Sequence, residues 1–297
     1  MTTHVFRNKR GGFNAIELVV VIVLVFIILG ALLVALKNFS DHERRSISWR
    51  AGPQTYNNLK QLSLACHSFH DVYKKLPPAF DKAGEMNFPA SVHVHLLPFI
   101  EQDNLYKVYL AQEGKGDWDK YIIPPFIAPQ DVTQINSGAG HQNLAANLRV
   151  FSDKGLATKF DADMPALAGI EPGKASMPNS IPDGTSRTIF FTTKYGNCKD
   201  GGSRFVAAPD SEFAAYFGQN AAVKKADPND PGGTFQNQPT REQCLITPLM
   251  AQGMSISGLQ VGLGDGSVAL INPDISPRTW NLLAQPNDGM QLGDDWQ

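Results

Sequence analysis

The chain opens with an apolar run in which no residue from Leu18 to Leu36 is charged. At about 1.5 Å per residue, a helix of this length approaches the roughly 30 Å hydrocarbon core of a bilayer. Three basic residues and no acidic one precede the run, and basic flanks favour the cytoplasmic side. The pattern predicts a single transmembrane helix over 13–36 in the inner (cytoplasmic) membrane. The N-terminus would be cytoplasmic, and the C-terminal domain periplasmic or extracellular.

A second apolar pattern follows a polar connector over residues 37–52, which could continue the helix because Gly52 and Pro53 are its first breakers. Beyond it, apolar residues recur at alternating spacings of three and four, which is typical of an amphipathic helix. Pro77 and Pro78 end the pattern. The stripe consists of Leu59, Leu62, Cys66, Phe69, Tyr73 and Leu76. Cys66 is therefore expected to be a buried core residue.

Later in the chain the apolar residues alternate with a period of two. They do so on both sides of Gly264-Asp265-Gly266, which predicts a β-hairpin. A phosphate-binding glycine loop would lead into a helix, so a dinucleotide site is excluded. Asp183-Gly184-Thr185 likewise precedes an apolar strand at 188–191. The predicted class is α+β: a long N-terminal transmembrane helix, a following amphipathic helix and a mainly antiparallel β-rich globular body.

Composition and charge narrow the class of function. The 26 Lys and Arg against 28 Asp and Glu give a net charge of −2, so no nucleic-acid partner is expected. The motifs of the common nucleophilic, zinc and phosphate-binding enzymes are absent, so no enzyme is expected. The three cysteines are too few for a disulfide scaffold. Cys198 and Cys244 could pair after export to an oxidising compartment, but the sequence does not give their Cα separation.

Glu17 stands at the head of the apolar run, where a carboxylate is costly and usually marks a function. It could lie at the headgroup level, but it is also the fifth residue counted from Phe13, after basic residues and Gly11-Gly12. This arrangement resembles the class III signal of type IV pilins and pseudopilins, with 1–12 as the leader. The resemblance implies cleavage between Gly12 and Phe13 by prepilin peptidase and methylation of the Phe13 amine. It also implies that Glu17 neutralises the terminal ammonium of a neighbouring pilin-like subunit.

Short motifs are spread along the remaining chain: Asn57–Leu62, Cys66–Asp71, Leu76–Ala79, His95–Gln102, Ile181–Ile189, Leu263–Val268, Thr279–Leu283, Pro286–Gly289 and Leu292–Trp296. Together they resemble the DUF1559 family, a bacterial solute-binding-like family that is abundant in planctomycetes. Its members join a pilin-type N-terminus to a domain of unassigned function. The resemblance implies one DUF1559-like extracytoplasmic domain over 53–297. Members commonly have a His where this chain has Ser255, so no role of that His is transferred.

Four histidines are candidate metal ligands. His67 and His70 lie three apart on the predicted amphipathic helix and could reach one ion, but no third ligand is near them in the sequence. His93 and His95 alternate with apolar residues, which predicts the wet face of a strand. No metal site is expected from either pair.

Calcium is the remaining cofactor alternative. Asp161 with Asp163, or Asp227 with Asn229 and Asp230, could supply alternating oxygen ligands, although neither run follows the EF-hand pattern. The resemblance to pseudopilins keeps calcium open, because some of them bind it in a C-terminal loop. Solvated acidic loops are the simpler interpretation.

Two functions follow from these patterns. The first is a type IV pilin-like or pseudopilin-like, membrane-anchored structural subunit of a secretion or surface system, such as type II secretion. The alternative is a membrane-tethered binding module for a solute, glycan or envelope polymer. Its support is the family's solute-binding-like character and a set of aromatic residues that core packing explains equally well: Trp118, Tyr121, Phe126, Tyr195 and Trp280.

Overall fold

The computed structural model describes residues 15–131, 133, 141–151, 175–199, 201–218, 234–244 and 249–296. In the first helix, side chains are described at 19–33, at 35 and from 52 onward. The chain divides into two compact units, Met1–Ile47 and Ser48–Gln297.

The described residues form five α-helices and two short 3₁₀ helices. The first helix extends over 59 residues and includes Pro53, so the connector and the predicted amphipathic helix are both parts of it. The last helix begins at Pro277, directly after Ser276, whose side chain accepts a hydrogen bond from the Thr279 amide. The α-helices are α1 (Ala15–Tyr73), α2 (Val92–Leu96), α3 (Asp103–Ala111), α4 (Leu148–Phe151) and α5 (Pro277–Ala284); the 3₁₀ helices are Leu97–Ile100 and Pro124–Phe126.

The predicted transmembrane helix, and with it the inner-membrane location, is wrong. Within the described part of the chain, no helix combines the length and the apolar character needed to cross a membrane. The apolar run of α1 whose side chains are described extends from Val19 to Leu33. At about 1.5 Å per residue it covers roughly 22 Å, which is less than a bilayer's hydrocarbon core of roughly 30 Å.

The α+β class and the β-rich body are as predicted. A five-stranded sheet has the order β11-β10-β4-β3-β7, and its strands pair antiparallel except for β3 with β7. Three two-stranded sheets join β1 to β2, β5 to β6 and, in parallel, β8 to β9. The strands are β1 (Phe80–Asp81), β2 (Ala90–Ser91), β3 (Leu144–Asn147), β4 (Ile189–Thr193), β5 (Asn197–Cys198), β6 (Gly201–Gly202), β7 (Tyr216–Phe217), β8 (Phe235–Asn237), β9 (Ala251–Gly253), β10 (Leu259–Leu263) and β11 (Val268–Ile271).

The predicted hairpin is confirmed as β10 and β11, which pair antiparallel. Its turn requires glycine, because Gly266 has φ +85° and an added Cβ would lie 2.8 Å from Leu64 Cδ2 of α1. The predicted strand after Asp183-Gly184-Thr185 is also confirmed, as β4. The hairpin turn therefore lies against the second half of α1.

The core consists of two clusters of buried side chains. The larger one includes the stripe of α1, of which Leu59, Leu62, Cys66 and Phe69 are at most 1% exposed. The smaller one contains β10 side chains and the face of α5 that carries Trp280. The spacing of three and four in the second half of α1 thus marks a face buried within the body, as predicted.

Candidate functional site

The segment of α1 from Val19 to Leu33, here called the apolar segment, is the largest exposed apolar surface among the described residues. Its thirteen large apolar side chains are each 46–70% exposed, and Phe26 is the most exposed of them. From Val19 to Leu29 every residue is apolar, so no polar stripe follows the helix. A helix that is apolar on all sides needs a covering partner, since a solvated helix of a globular protein is apolar on one face only.

The residues of the predicted processing signal belong to the same end of the chain. Gly12 and Phe13 lie outside the described residues. Glu17 lies within α1, in a stretch where the backbone alone is described. The cleavage site and the role of the Glu17 carboxylate therefore stay predictions.

Cys198 and Cys244 form a disulfide, with a Cα–Cα separation of 5.5 Å. The bond joins β5 to a segment 46 residues later, and a backbone hydrogen bond from Lys199 to Arg241 runs beside it. Cys66 is a buried free thiol, and burial raises its pKa well above the ordinary value. A thiol of this kind packs as a hydrophobic group and is a poor nucleophile.

The predicted wet strand at His93 and His95 is wrong. Both residues belong to α2, which begins at Ser91 as N-cap, and both are at most 2% exposed. Their Nε2 atoms lie 2.7 Å from the Leu144 carbonyl and 2.8 Å from the Asp81 carbonyl, respectively. Burial lowers the pKa of each imidazole to about 4, so both are neutral near pH 7. Alternation in a five-residue segment gave the wrong period because tertiary packing buries this helix on all sides.

The other two histidines, His67 and His70, lie on α1. His67 Nε2 lies 2.6 Å from the Gly264 carbonyl, so His67 joins α1 to the hairpin turn. Among the described residues, no group of three His, Cys, Asp or Glu side chains is placed to hold a metal ion. The two calcium candidates, Asp161 with Asp163 and Asp227 with Asn229 and Asp230, lie outside the described residues.

A buried polar network at the end of β4 was not foreseen from the sequence. Asp131 accepts hydrogen bonds from Asn143 Nδ2 at 2.6 Å and from the Gly196 amide at 2.8 Å. Lys194 is 1% exposed and donates from Nζ to the Ala214 carbonyl at 2.7 Å. Burial raises the pKa of the Asp131 carboxyl and lowers the pKa of Lys194 to about 7. These contacts hold strands and loops together. The residues that make them are far apart in the sequence, so no short motif predicts the network.

The short motifs of the sequence meet in pairs in the body. Asp183 accepts hydrogen bonds from the amides of Asp288 at 2.7 Å and Gly289 at 2.8 Å, so two motifs over 100 residues apart are tied together. The Asp265 amide in turn donates to the Thr185 carbonyl at 3.1 Å. Asn58 Nδ2 donates to two carbonyls, those of Pro124 and Ile127. The motif residues with described contacts thus hold turns and chain crossings together.

A groove runs along the exposed side of α1 in the body, with a cavity volume of 280 Å³. Its lining residues recur every three or four positions along α1, and the 3₁₀ helix after α2 adds one aromatic side chain. This α1 groove is lined by Asn57, Lys60, Gln61, Leu64, Ala65, Ser68 and Phe99. Asn57, Lys60 and Gln61 make one end polar, whereas Leu64, Ala65 and Phe99 line the rest together with Ser68. No pattern in the sequence predicted this groove.

Comparison with known proteins gives a family and no activity. A family model described as "Protein of unknown function (DUF1559)" matches residues 53–278. No curated protein and no solved structure matches the chain. The match covers most of the body and includes the motifs from Asn57 to Val268. The chain therefore belongs to the DUF1559 family.

Proposed function

We propose that this protein is a pilin-like structural subunit that assembles with further subunits through the apolar segment of α1. Prepilin peptidase would first cleave the chain between Gly12 and Phe13. The body then serves as the part displayed by the assembly and carries no catalytic role. The observation that supports the proposal best is the exposure of all thirteen large apolar side chains between Val19 and Leu33.

The distribution of these side chains favours an assembly of many subunits over a dimer. A two-stranded coiled coil covers two positions in seven and leaves the rest of each helix to solvent. Here apolar residues occupy every position from Val19 to Leu29, so all sides of the helix need cover. Each large side chain transferred from water contributes about 1.5–3 kcal/mol. Several neighbouring helices around each α1 would gain this stabilisation most completely.

Cysteine cross-linking separates the two arrangements. Val21→Cys and Val23→Cys differ by two residues and lie about 200° apart on the helix. In an assembly of many subunits, both variants should form disulfide-linked dimers under oxidation, and the double variant with both cysteines should form ladders. Val108→Cys on α3 is the matched control, because it is also exposed but belongs to the body. A cross-link at one position alone would indicate a dimer, and none at either would reject the assembly.

The N-terminus of the mature protein tests the processing step. The full chain would be produced in a host that supplies prepilin peptidase, and its mass and N-terminal sequence measured. A start at N-methylated Phe13 is expected. Glu17→Ala should be processed in the same way, but when it is combined with Val21→Cys or Val23→Cys it should lower the yield of cross-linked subunits. An intact Met1 would contradict the processing, and normal cross-linking of Glu17→Ala would contradict the pairing of its carboxylate with a neighbouring ammonium.

A binding module is the second candidate, and the α1 groove is the observation that favours it. Polar and apolar side chains that converge on one cavity are typical of ligand sites. A ligand that binds the folded state raises the melting temperature, so a panel of sugars, peptides and small acids can be screened. A flat response across the panel would count against this function.

A further inference from the structure

The polar end of the α1 groove carries one positively charged side chain that has no ion-pair partner among the described residues. Lys60 is the one charged residue in the lining, and among the described residues it forms no ion pair. The side-chain amides of Asn57 and Gln61 lie one turn apart beside it, and neither makes a hydrogen bond within the described part of the chain. An ammonium group with two free amides can bind a carboxylate through charge-assisted hydrogen bonds.

The rest of the groove is lined by Leu64, Ala65 and Phe99, with Ser68 as one further polar residue, and the wall formed by Phe99 is held in place by its neighbours. Leu64 is 45% exposed and Ala65 is buried, so they form a floor that a ligand can reach. The Phe99 ring is held by edge contacts with the rings of Phe69 at 5.6 Å and Tyr73 at 6.4 Å. A wall fixed in this way changes little on binding, which lowers the entropic cost of forming a complex.

We propose that the α1 groove binds a small carboxylate with an apolar tail. The carboxylate lies between Lys60, Asn57 and Gln61, and the tail lies on Leu64 against Phe99. The volume of 280 Å³ suits a ligand of this size. This inference deepens the second candidate function and is independent of assembly through the apolar segment.

The test is isothermal titration calorimetry on the full chain, with 4-phenylbutyrate as the acid and 4-phenylbutanol as its neutral counterpart. The acid should bind measurably, more tightly than the alcohol and more weakly as salt is added. Lys60→Gln should weaken binding of the acid about two- to fivefold, as expected for an exposed ion pair. Leu64→Gln should weaken it about tenfold, because it removes apolar contact area.

Lys82→Gln is the matched control, because it removes the same charge from an exposed lysine that lies outside the groove and forms no ion pair among the described residues. It should bind the acid as the unmodified chain does, and thermal melting checks that every variant is folded. Equal binding of acid and alcohol, or no effect of Lys60→Gln, would overturn the proposal. If the acid does not bind while another compound of the panel raises the melting temperature, the ligand class is wrong and the binding-module function stands.

Discussion

Val19–Leu33 and Leu59–Tyr73 belong to the same helix, yet the first presents its apolar side chains to solvent and the second buries them. The first stretch is apolar without period, so no single face can pack against the chain's own core. The second has apolar residues every three or four positions, and that face is buried in the larger core cluster. Periodicity thus distinguishes apolar residues that fold the chain from those that need a partner outside it.

The largest expected difference between the two stretches concerns one Phe→Ala change in each. Phe69 is 1% exposed and contacts three aromatic rings, so Phe69→Ala should lower the free energy of unfolding of the body by about 3–5 kcal/mol. Phe26 is 70% exposed, so Phe26→Ala should change that free energy by less than about 0.5 kcal/mol. Denaturant unfolding measures both. Similar losses for the two variants would show that the apolar segment also stabilises the body.

Removal of the disulfide should affect the body alone. The bond closes a separation of 46 residues, and the double variant Cys198→Ser with Cys244→Ser should lower the free energy of unfolding by about 2–4 kcal/mol. Cross-linking through Val21→Cys should persist in this background. Cys66→Ser is the control for a buried cysteine outside the bond, and an unchanged unfolding midpoint of the double variant would contradict the prediction.

Acid should weaken the body through its buried histidines. The pKa of His93 is about 4 when folded, below its ordinary value of 6.5, because burial disfavours the charged form. The unfolded state therefore binds more protons between these values, and stability falls as pH drops from 6.5 to 4, by about 3 kcal/mol. His93→Gln should make this pH profile less steep but not flat, because His95 and His141 also have a pKa of about 4 in the folded state. An equally steep profile would assign the loss to other groups. The apolar segment contains no titratable residue, so its own side chains should contribute nothing to this profile.

The smallest expected effect is that of a helix cap. Ser276 accepts a hydrogen bond from the Thr279 amide at the start of α5, so Ser276→Ala should cost the body about 1 kcal/mol. Ser276→Asp should restore most of the loss, since Asp is also a good N-cap. Thermal unfolding measures the pair of variants. Equal melting temperatures for the Ala variant and the unmodified chain would show that this cap does not stabilise the body.

The fold was predictable where one short pattern decides the structure. Spacing predicted the buried stripe of α1, and alternation around Gly264-Asp265-Gly266 predicted the hairpin of β10 and β11. His93 and His95 were misplaced because a five-residue helix is set by its surroundings and not by its own period. The membrane span was predicted from the composition and length of residues 13–36 alone. Within the described part of α1, the helix is not long and apolar enough to cross a membrane.

The candidate sites were harder to predict, because they join distant parts of the chain. The sequence predicts Asp183 as a turn residue and nothing more. Its two amide donors lie 105 and 106 positions later in the chain. The α1 groove needs Phe99 beside α1, which no spacing within the helix reveals. Only the apolar segment could be predicted directly from the sequence, because all of its residues lie in one continuous stretch.

The contacts of the last described residues bear on how the body is completed during synthesis. The Asn272 amide donates to the Trp296 carbonyl, and Asp295 accepts from the Ser276 amide at 2.8 Å. Trp296 also packs on the smaller core cluster. A ribosome releases these residues after all strands of the sheet have emerged, so α5 and its cluster should stay incompletely ordered until then. Folding of the body is therefore expected to finish after this stretch leaves the exit tunnel, whereas the second half of α1 is available from the start.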